Sequence, residues 1–130
     1  MRVLLDTQVW IWMRNAPARL SAKTRRLLTD QRNELVLSAA TAWEMAIKVS
    51  LGKLRLPCSV AEFVASRALA TRVTPLAITQ LHAIESAELP WHHRDPFDRV
   101  LVAQARLEGL PLISNDDVFE AYDVKVLRAT

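Results

Sequence analysis

Five short apolar runs, separated by segments with helical spacing of apolar residues, constrain this chain more than any other feature. The runs lie at residues 2–5, 35–37, 72–75, 111–114 and 124–127. Each has the length of a strand, and Pro75 places the third run at an edge of a sheet. Strands that alternate with helices along the whole chain predict a three-layer α/β/α fold with a mainly parallel central sheet of about five strands.

The helical segments are marked by caps and breakers as well as by periodicity. Asp6 and Ser21 are suitable N-caps, and Gly52 is a natural stop. Helices are predicted at 7–13, from 21 to a break at 30–33, at 40–49, 59–70 and 76–87, from 95 to near 109, and, as a short helix, at 116–122. The sequence contains no repeat, low-complexity tract or Gly/Ser linker, so residues 1–130 are expected to form a single domain.

Charge and cysteine content restrict the compartment and the partners. The net charge of +3, from 17 basic and 14 acidic residues, fits a polyanionic partner without requiring one. A single cysteine, Cys58, excludes an internal disulfide and fits a reducing compartment. The run Val3–Leu5 is ended by Asp6 before it could form a signal-peptide core, and no run reaches the length of a transmembrane helix. We therefore expect a cytoplasmic protein without membrane association.

Four acidic residues that are far apart in sequence follow strand ends or begin helices in this scheme. Asp6 directly follows the first strand, and Glu44 lies about one turn into the helix after the second. Asp98 stands in the first turn of the helix before the fourth strand, and Asp116 two residues beyond Ser114 at that strand's end. In a parallel α/β sheet these positions share the carboxyl edge, where ligands bind. The topology predicts that the four carboxylates meet there.

Helix capping is an alternative explanation for the acids at helix starts. Asp95 is a good N-cap, Pro96 suits the first helical position, and Asp98 is then the third position of a capping box. Asp6 and Asp116 could be N-caps in the same way. On this reading their carboxylates would bind backbone N–H groups and would not form a site.

An exposed ion pair is the alternative explanation for Glu44. Lys48 follows it by four residues, the spacing of a pair on one helix face. However, Glu44 follows Trp43 in a mostly apolar helix, where a surface acid is less expected. This position favours a site over a solvated pair.

Several carboxylates close together predict a bound cation, because they repel one another unless a positive charge neutralises them. Ligation by carboxylates alone favours Mg²⁺ or Mn²⁺ over Zn²⁺. The spacing of His82, His92 and His93 does not match a metal-ligand signature. A Mg²⁺ ion with open positions binds phosphate oxygens and lowers the pKa of a bound water, which is the chemistry of phosphodiester hydrolysis.

Two other functions are compatible with these residues. A non-catalytic α/β binding module would use the acids as caps and surface pairs, and would bind no Mn²⁺. A Mg²⁺-dependent phosphatase would use Asp6 as its nucleophile. Against the phosphatase, position 8 is Gln8 and not an Asp, and a chain with two glycines has no clear phosphate-binding loop.

Five separated motifs lie in register over nearly the whole chain. They are Leu-Leu-Asp-Thr at 4–7, Ser-Ala-Ala-Thr-Ala-Trp-Glu-Met-Ala-Ile-Lys at 38–48, Leu-Gly-Lys-Leu-Arg-Leu-Pro at 51–57, His-Arg-Asp-Pro-Phe-Asp-Arg at 93–99 and Ser-Asn-Asp at 114–116. Together they resemble the motifs of PIN-domain nucleases of the VapC-type toxin branch. The resemblance implies a PIN fold with strand order 3-2-1-4-5 and an endoribonuclease activity that depends on Mg²⁺ or Mn²⁺. It also implies a homodimer and a small VapB-like antitoxin encoded beside the toxin.

The resemblance also assigns residues. Asp6, Glu44, Asp98 and Asp116 match the acidic quartet of the family, which is catalytic and holds the metal. We expect the three aspartates to be direct or water-mediated ligands, and Glu44 to hold a second ion or to orient water. Asp95 matches an additional acid of this branch.

Hydroxyl residues beside the quartet are candidates for supporting it. Ser114 matches the family's hydroxyl residue two positions before the last acid, and either Ser114 or Thr7 could hold a carboxylate or a metal-bound water. Two positions depart from the family pattern. Gln8 stands where the commonest members have histidine, and Asp117 is an extra acid that we expect to be solvated.

Basic and aromatic residues near the motifs are candidates for contacts with RNA or a partner. The predicted RNA-binding residues are Lys48, Lys53, Arg55, Arg94 and Arg99. Trp91, in a Pro-His-flanked loop, is the candidate for contact with a base or a partner, whereas Trp10 and Trp43 are expected in the core. The apolar seam of Val60, Phe63 and Val64 either packs within the chain or presents a groove to an antitoxin helix.

Overall fold

A central sheet of five parallel strands organises the fold in a computed structural model that describes all 130 residues. The strands are β1 (Arg2–Leu5), β2 (Glu34–Ser38), β3 (Thr74–Leu76), β4 (Leu112–Ser114) and β5 (Val126–Arg128). Their order across the sheet is β3-β2-β1-β4-β5, and every neighbouring pair is parallel. The predicted α/β/α class and the strand order 3-2-1-4-5 are confirmed.

Six helices cover the sheet. They are α1 (Thr7–Asn15), α2 (Ala22–Thr29), α3 (Ala39–Ser50), α4 (Val60–Thr71), α5 (Gln80–Glu88) and α6 (Pro96–Glu108). Two short 3-10 turns lie at Pro17–Arg19 and Asp117–Ala121. None of the helices combines the length and the apolar character that a membrane crossing requires.

The three inner strands β2, β1 and β4 are buried on both faces, which explains why their sequences are continuous apolar runs rather than alternating ones. In β1, Val3 and Leu5 pack into one apolar cluster with residues of α1, α2 and α4, whereas Leu4 packs into a second cluster with residues of α6. Phe63 of the predicted α4 seam is fully buried, with its ring edge against Trp10 at 6.4 Å between ring centroids. The centre of this seam therefore packs within the chain.

The predicted boundaries were wrong around β3 and α5. We predicted a strand at 72–75 followed directly by a helix, but β3 ends at Leu76 and α5 begins only at Gln80. Thr79 Oγ1 accepts the backbone N–H of His82, and His82 Nδ1 accepts the backbone N–H of Thr79, which together form a capping box. Histidine replaces the usual Glu or Gln of this motif, so the sequence did not reveal the helix start.

Three further predictions are corrected near the sheet edges and the surface. The short helix predicted at 116–122 is the 3-10 turn Asp117–Ala121, and the last strand begins at Val126 instead of 124. Trp43, expected in the core, is 54% exposed and touches the fold through an edge contact with Phe97 at 5.0 Å. An apolar side chain on a helix need not face the core when a neighbouring helix leaves a surface groove.

Arg99 of α6 ties the loop before α6 to the helix. It is 3% exposed, and its guanidinium donates to the carbonyl oxygens of Ala87, Leu89, Pro90 and His93 at 2.9 to 3.4 Å. The prediction that Arg99 binds RNA is wrong, because its charge is buried and bonded to the backbone of the fold.

We expect Arg99→Lys to destabilise the protein by about 2 kcal/mol, because an ammonium cannot reach four carbonyl groups that a planar guanidinium bridges. Urea unfolding measures the change. The control is Arg94→Lys, an exposed position where the change should stay within about 0.5 kcal/mol. Equal unfolding midpoints for Arg99→Lys and the unmodified chain would contradict this role of Arg99.

Candidate active site

A pocket of about 380 Å³ opens at the carboxyl edge of the sheet. Asp6 follows β1 and Asp116 follows β4, while Asp98 lies in the first turn of α6 and Glu44 in the middle of α3. All four line the pocket. The remaining polar lining residues are Thr7, Gln8, Lys48, Lys53, Asp95 and Asn115. The fold thus brings the predicted quartet together.

Asp6 occupies an N-cap position but does not act as a cap. Its backbone has the extended conformation of a cap of α1, yet its side chain makes no N-cap hydrogen bond. Instead, Ser114 Oγ donates to Asp6 Oδ2 at 2.7 Å, which joins the ends of the neighbouring strands β1 and β4. Burial raises the pKa of Asp6 to about 6, against the lowering effect of hydrogen bonds from Ser114 and from the Thr7 backbone.

At the start of α6, one aspartate caps the helix and another lines the pocket. Asp95 Oδ1 accepts the backbone N–H of Phe97 at 2.9 Å and that of Asp98 at 3.4 Å, so Asp95 is the cap. The predicted capping box is not formed, because the N–H of Asp95 is accepted by His93 Nδ1 and not by Asp98. Burial, followed by repulsion from Asp6, Asp95 and the other acids, raises the pKa of Asp98 to about 8.

Glu44 is buried, although the predicted pair with Lys48 exists. Lys48 Nζ lies 2.5 Å from Glu44 Oε2, with side chains that are 47% and 6% exposed respectively. The second oxygen, Glu44 Oε1, is buried without a hydrogen-bond partner. A buried carboxylate oxygen with no partner is costly unless something else occupies that side of it. Glu44 therefore belongs to the pocket and is not a solvated surface residue.

Asp116 divides its two carboxylate oxygens between a turn and the site. Oδ1 accepts the backbone N–H of Val118 at 3.0 Å, which caps the following 3-10 turn. Oδ2 lies 3.6 Å from His93 Nε2, and the same nitrogen lies 2.8 Å from Asp98 Oδ2. Both sequence-based readings of Asp116 thus describe part of what it does.

His93 is the contact residue that the sequence analysis missed. The spacing of the histidines along the sequence matches no metal-binding signature. Spacing alone does not reveal that the loop before α6 brings His93 next to Asp98 and Asp116. Its Nε2 and the carboxylate oxygens of Asp98 and Asp116 all lie within 4.8 Å of one another. A histidine two residues before an N-cap aspartate was the available signal, since its ring nitrogen can accept that aspartate's N–H.

The hydroxyl candidates have different partners. Ser114 holds Asp6, as described, and also accepts the backbone N–H of Asp116 at 3.0 Å. Thr7 Oγ1 is 3.0 Å from Thr41 Oγ1, so its hydroxyl links α1 to α3 instead of holding a carboxylate. Only the Thr7 backbone supports Asp6.

The basic candidates separate into three groups. Lys48 and Lys53 line the pocket, and Arg55 is exposed a short distance along the chain. Arg94 lines a separate apolar groove of about 370 Å³ with Trp43 and Trp91. Arg99 is buried, as described above.

The two departures from the family pattern also have defined positions. Gln8 lines the pocket. Asp117 is 79% exposed and pairs with Arg128 at the surface. It does not line the pocket.

Residues 3–125 match the family model of the PIN domain. The chain belongs to the PIN domain family. The resemblance drawn from five sequence motifs is confirmed at this level, because the match extends over nearly the whole chain and includes all four acids.

Relatives of this PIN domain include toxin and ribonuclease proteins. Ribonuclease VapC16 of Mycobacterium tuberculosis is 42% identical over 60 residues, which are 46% of this chain and 43% of that protein. This match therefore spans less than half the length of the curated relative. Two solved structures are similar over almost the whole chain. VapBC2 from Rickettsia felis, bound to a promoter DNA fragment, has a TM-score of 0.75 at 15% identity and covers 100% of both chains. FitAcB from Neisseria gonorrhoeae has a TM-score of 0.61 at 26% identity and covers 98% of this chain and 96% of that one.

The pocket of this PIN domain fits a divalent cation. Four carboxylates line it, and the raised pKa values of Asp6 and Asp98 reflect buried negative charge that nearby acids reinforce. Glu44 Oε1 is a buried acceptor without a partner. Two lysines, Lys48 and Lys53, line the pocket with five acids, so the chain itself does not fully neutralise the carboxylates. Carboxylate oxygens are the donors that hard divalent cations prefer.

Without a metal ion, we expect the protein to lose on the order of 2 kcal/mol of stability between pH 5 and pH 8. The folded-state pKa values of Asp98 and Asp6 are about 8 and about 6, against an ordinary value of 3.8. In this range the folded chain holds more protons than the unfolded chain, so the stability present at low pH is lost as the pH rises. Urea unfolding in EDTA at several pH values measures this loss.

The variant Asp98→Asn should flatten much of that pH dependence, leaving the part that comes from Asp6. The matched control is Asp117→Asn, which changes an exposed acid outside the pocket and should keep the pH dependence of the unmodified chain. Superimposable pH profiles for Asp98→Asn and the unmodified chain would show that Asp98 is not desolvated as described.

Proposed function

We propose that this PIN domain is a divalent-metal-dependent endoribonuclease that hydrolyses RNA phosphodiester bonds, and that it is the toxin of a type II toxin–antitoxin pair. One observation carries the proposal. Asp6, Glu44, Asp98 and Asp116, which the chain keeps far apart in sequence, line one pocket, and two of them do not serve the helix-capping role that would otherwise explain them. The similarity to ribonuclease VapC16 supports RNA as the substrate.

We assign the quartet as the residues that hold Mg²⁺ or Mn²⁺. A bound divalent cation supplies an activated water and neutralises charge on a phosphate. Ser114 orients Asp6 through its hydrogen bond, so that the carboxylate keeps one direction at the end of β1. Asp95 caps α6, which fixes the backbone position of Asp98. These hydrogen bonds keep the carboxylates close together despite their mutual repulsion.

Positive charge at the pocket supports a polyanionic substrate. Lys53 lines the pocket, Lys48 is nearly half exposed beside Glu44, and Arg55 lies on the exposed segment that follows α3. We propose these residues, with Arg94 at the neighbouring groove, as contacts to the RNA backbone. The starts of α1 and α6 at the same edge add the positive ends of two helix dipoles, which favour an anion.

Asp6→Asn and Asp98→Asn should each lower RNA cleavage by at least about 100-fold, because each removes a charge needed to hold the cation while keeping the side-chain shape. The assay incubates RNA with the purified chain in Mg²⁺, in Mn²⁺ and in EDTA, and maps the cut ends. Circular dichroism shows that the variants are folded. Asp117→Asn is the control with the same chemical change outside the pocket, and it should cleave as the unmodified chain does.

Cleavage in EDTA, or full Mg²⁺-dependent cleavage by either site variant, would contradict the proposed nuclease site. If a phospho-aspartyl group could be trapped on Asp6, the protein would instead be a phosphatase. An intact pocket that binds no Mn²⁺ in calorimetry would favour the non-catalytic module.

We propose a small antitoxin and a second copy of this chain as partners, acting in the cytoplasm where RNA is translated. The antitoxin follows from the likeness to proteins described as VapBC complexes. For the homodimer, the chain itself offers an apolar surface on and beside α5. Leu81, Ile84 and Trp91 are 68%, 54% and 68% exposed, and Trp91 shares a groove with the exposed Trp43. Exposed apolar groups that cluster in this way mark protein contacts more often than solvent-facing surface.

Leu81→Asp combined with Ile84→Asp should weaken self-association by at least about tenfold, because two charges would have to be desolvated in the contact. Light scattering across a concentration series measures the mass, with that of two chains expected for the unmodified protein. Leu69→Asp is the matched control, because Leu69 is 85% exposed on α4, away from this surface. A monomeric unmodified chain, or equal dimerisation by the double variant, would contradict the proposed contact.

A further inference from the structure

His93 is held in place from several directions. Its backbone N–H donates to Tyr122 Oη at 2.9 Å, and its carbonyl oxygen accepts from the Arg99 guanidinium at 3.1 Å. Tyr122 Oη in turn donates to the carbonyl of Pro90 at 2.8 Å. The ring lies against Phe119 at 6.0 Å between centroids. Two buried polar side chains from distant elements thus fix one loop residue.

The ring orientation determines which nitrogen carries the proton. Asp95 donates its backbone N–H to His93 Nδ1 at 3.2 Å, and a backbone N–H can only donate. Nδ1 must therefore be the unprotonated acceptor, which leaves the proton on Nε2 in the neutral ring. A protonated Nε2 has no lone pair to offer a metal ion.

The same bond releases Asp98 from the helix. In a capping box, the residue three positions after the cap would accept the cap's N–H, and here that residue is Asp98. Because His93 accepts this N–H, the Asp98 carboxylate makes no bond to the start of α6 and remains available to the pocket.

The second ring nitrogen, Nε2, contacts two of the acids. Nε2 is buried and lies 2.8 Å from Asp98 Oδ2 and 3.6 Å from Asp116 Oδ2. Nε2 has no other hydrogen-bond partner, so its closest polar neighbours are these two carboxylate oxygens. The carboxylates of Asp98 and Asp116 line the pocket, whereas His93 does not.

We propose that His93 is a positioning residue, whose ring accepts the Asp95 N–H at Nδ1, holds the Asp98 and Asp116 carboxylates at a fixed spacing through Nε2, and is not itself a metal ligand. This inference rests on the proposed metal-dependent function. A ligand role is the alternative that distance alone allows, because the three ligand atoms lie within 4.8 Å of one another. The acceptor role of Nδ1 favours positioning, and so does the fact that His93 is not among the residues that line the pocket.

A pair of amide variants separates the two ring nitrogens. The amide nitrogen of His93→Gln reaches the place of Nε2 and keeps a donor facing the acids, whereas His93→Asn places its amide near Nδ1 and leaves the acids without a donor. Calorimetry with Mn²⁺ alone should show about tenfold weaker binding for His93→Asn, the range typical for loss of a group that orients ligands. His93→Gln should stay within about threefold of the unmodified chain. His92→Asn, at the exposed neighbour, is the control and should bind normally.

Two spectroscopic measurements on the unmodified chain need no variant. Nitrogen NMR shifts of the His93 ring should report the tautomer with the proton on Nε2. Pulsed electron paramagnetic resonance of the Mn²⁺-loaded chain should show no directly coordinated histidine nitrogen. A coordinated nitrogen, a proton on Nδ1, or equal Mn²⁺ affinity for His93→Asn and the unmodified chain would each overturn the proposal. Equal weakening in the Gln and Asn variants would overturn the donor role.

These readouts do not depend on RNA. If the unmodified chain binds Mn²⁺ but cuts no RNA, the nuclease proposal fails while the His93 measurements still decide its role. If the unmodified chain binds no Mn²⁺, both proposals fail together. Melting of each variant without metal shows whether a lower affinity reflects the site or a loss of fold.

Discussion

Repulsion between buried carboxylates is the constraint on which the rest of this structure depends. Asp6 is buried and the Asp98 side chain is 16% exposed, and the neighbouring acids raise both of their pKa values further above the ordinary range. A fold that allowed these groups to move apart would reduce the repulsion and lose the cation site. The scaffold must therefore hold negative groups together by bonds that do not neutralise them, which is why so many polar contacts surround the pocket.

Those contacts are divided among residues that are not themselves in the quartet. Ser114 binds Asp6, and Asp95 caps α6 so that Asp98 does not have to. His93 accepts the N–H that Asp98 would otherwise accept. Ser114 acts from the end of a strand and Asp95 from the start of a helix, where the chain is well fixed, whereas His93 acts from the loop before α6. The acids thus keep the oxygens that a hard cation needs.

Arg99 is a further supporting residue, and its charge is buried. A guanidinium in the interior is tolerated only when its donors are satisfied, and four carbonyl groups of the segment before α6 satisfy this one. Arg99 and Tyr122 both form hydrogen bonds with the backbone of His93 and so fix the position of this loop, which has no regular secondary structure. Arg99, which its charge alone would assign to RNA binding, therefore stabilises the loop that carries His93 from within the fold.

Local sequence determined much of this protein. Strand-length apolar runs and helical spacing predicted the α/β/α class, motif resemblance predicted the strand order, and the rule that parallel strands share a carboxyl edge predicted that four distant acids would meet. Tertiary structure alone decided which competing local bond each polar group makes. By sequence, Asp6 and Asp95 are both suitable N-caps, and Asp98 is the third position of a capping box. In the structure only Asp95 caps, because Ser114 at the end of β4 binds Asp6, and His93 in the loop before α6 accepts the N–H that Asp98 would accept. Likewise, Arg99 and Trp43 could not be assigned to interior or surface from residue type, since their burial depends on which carbonyls and helices the folded chain places beside them.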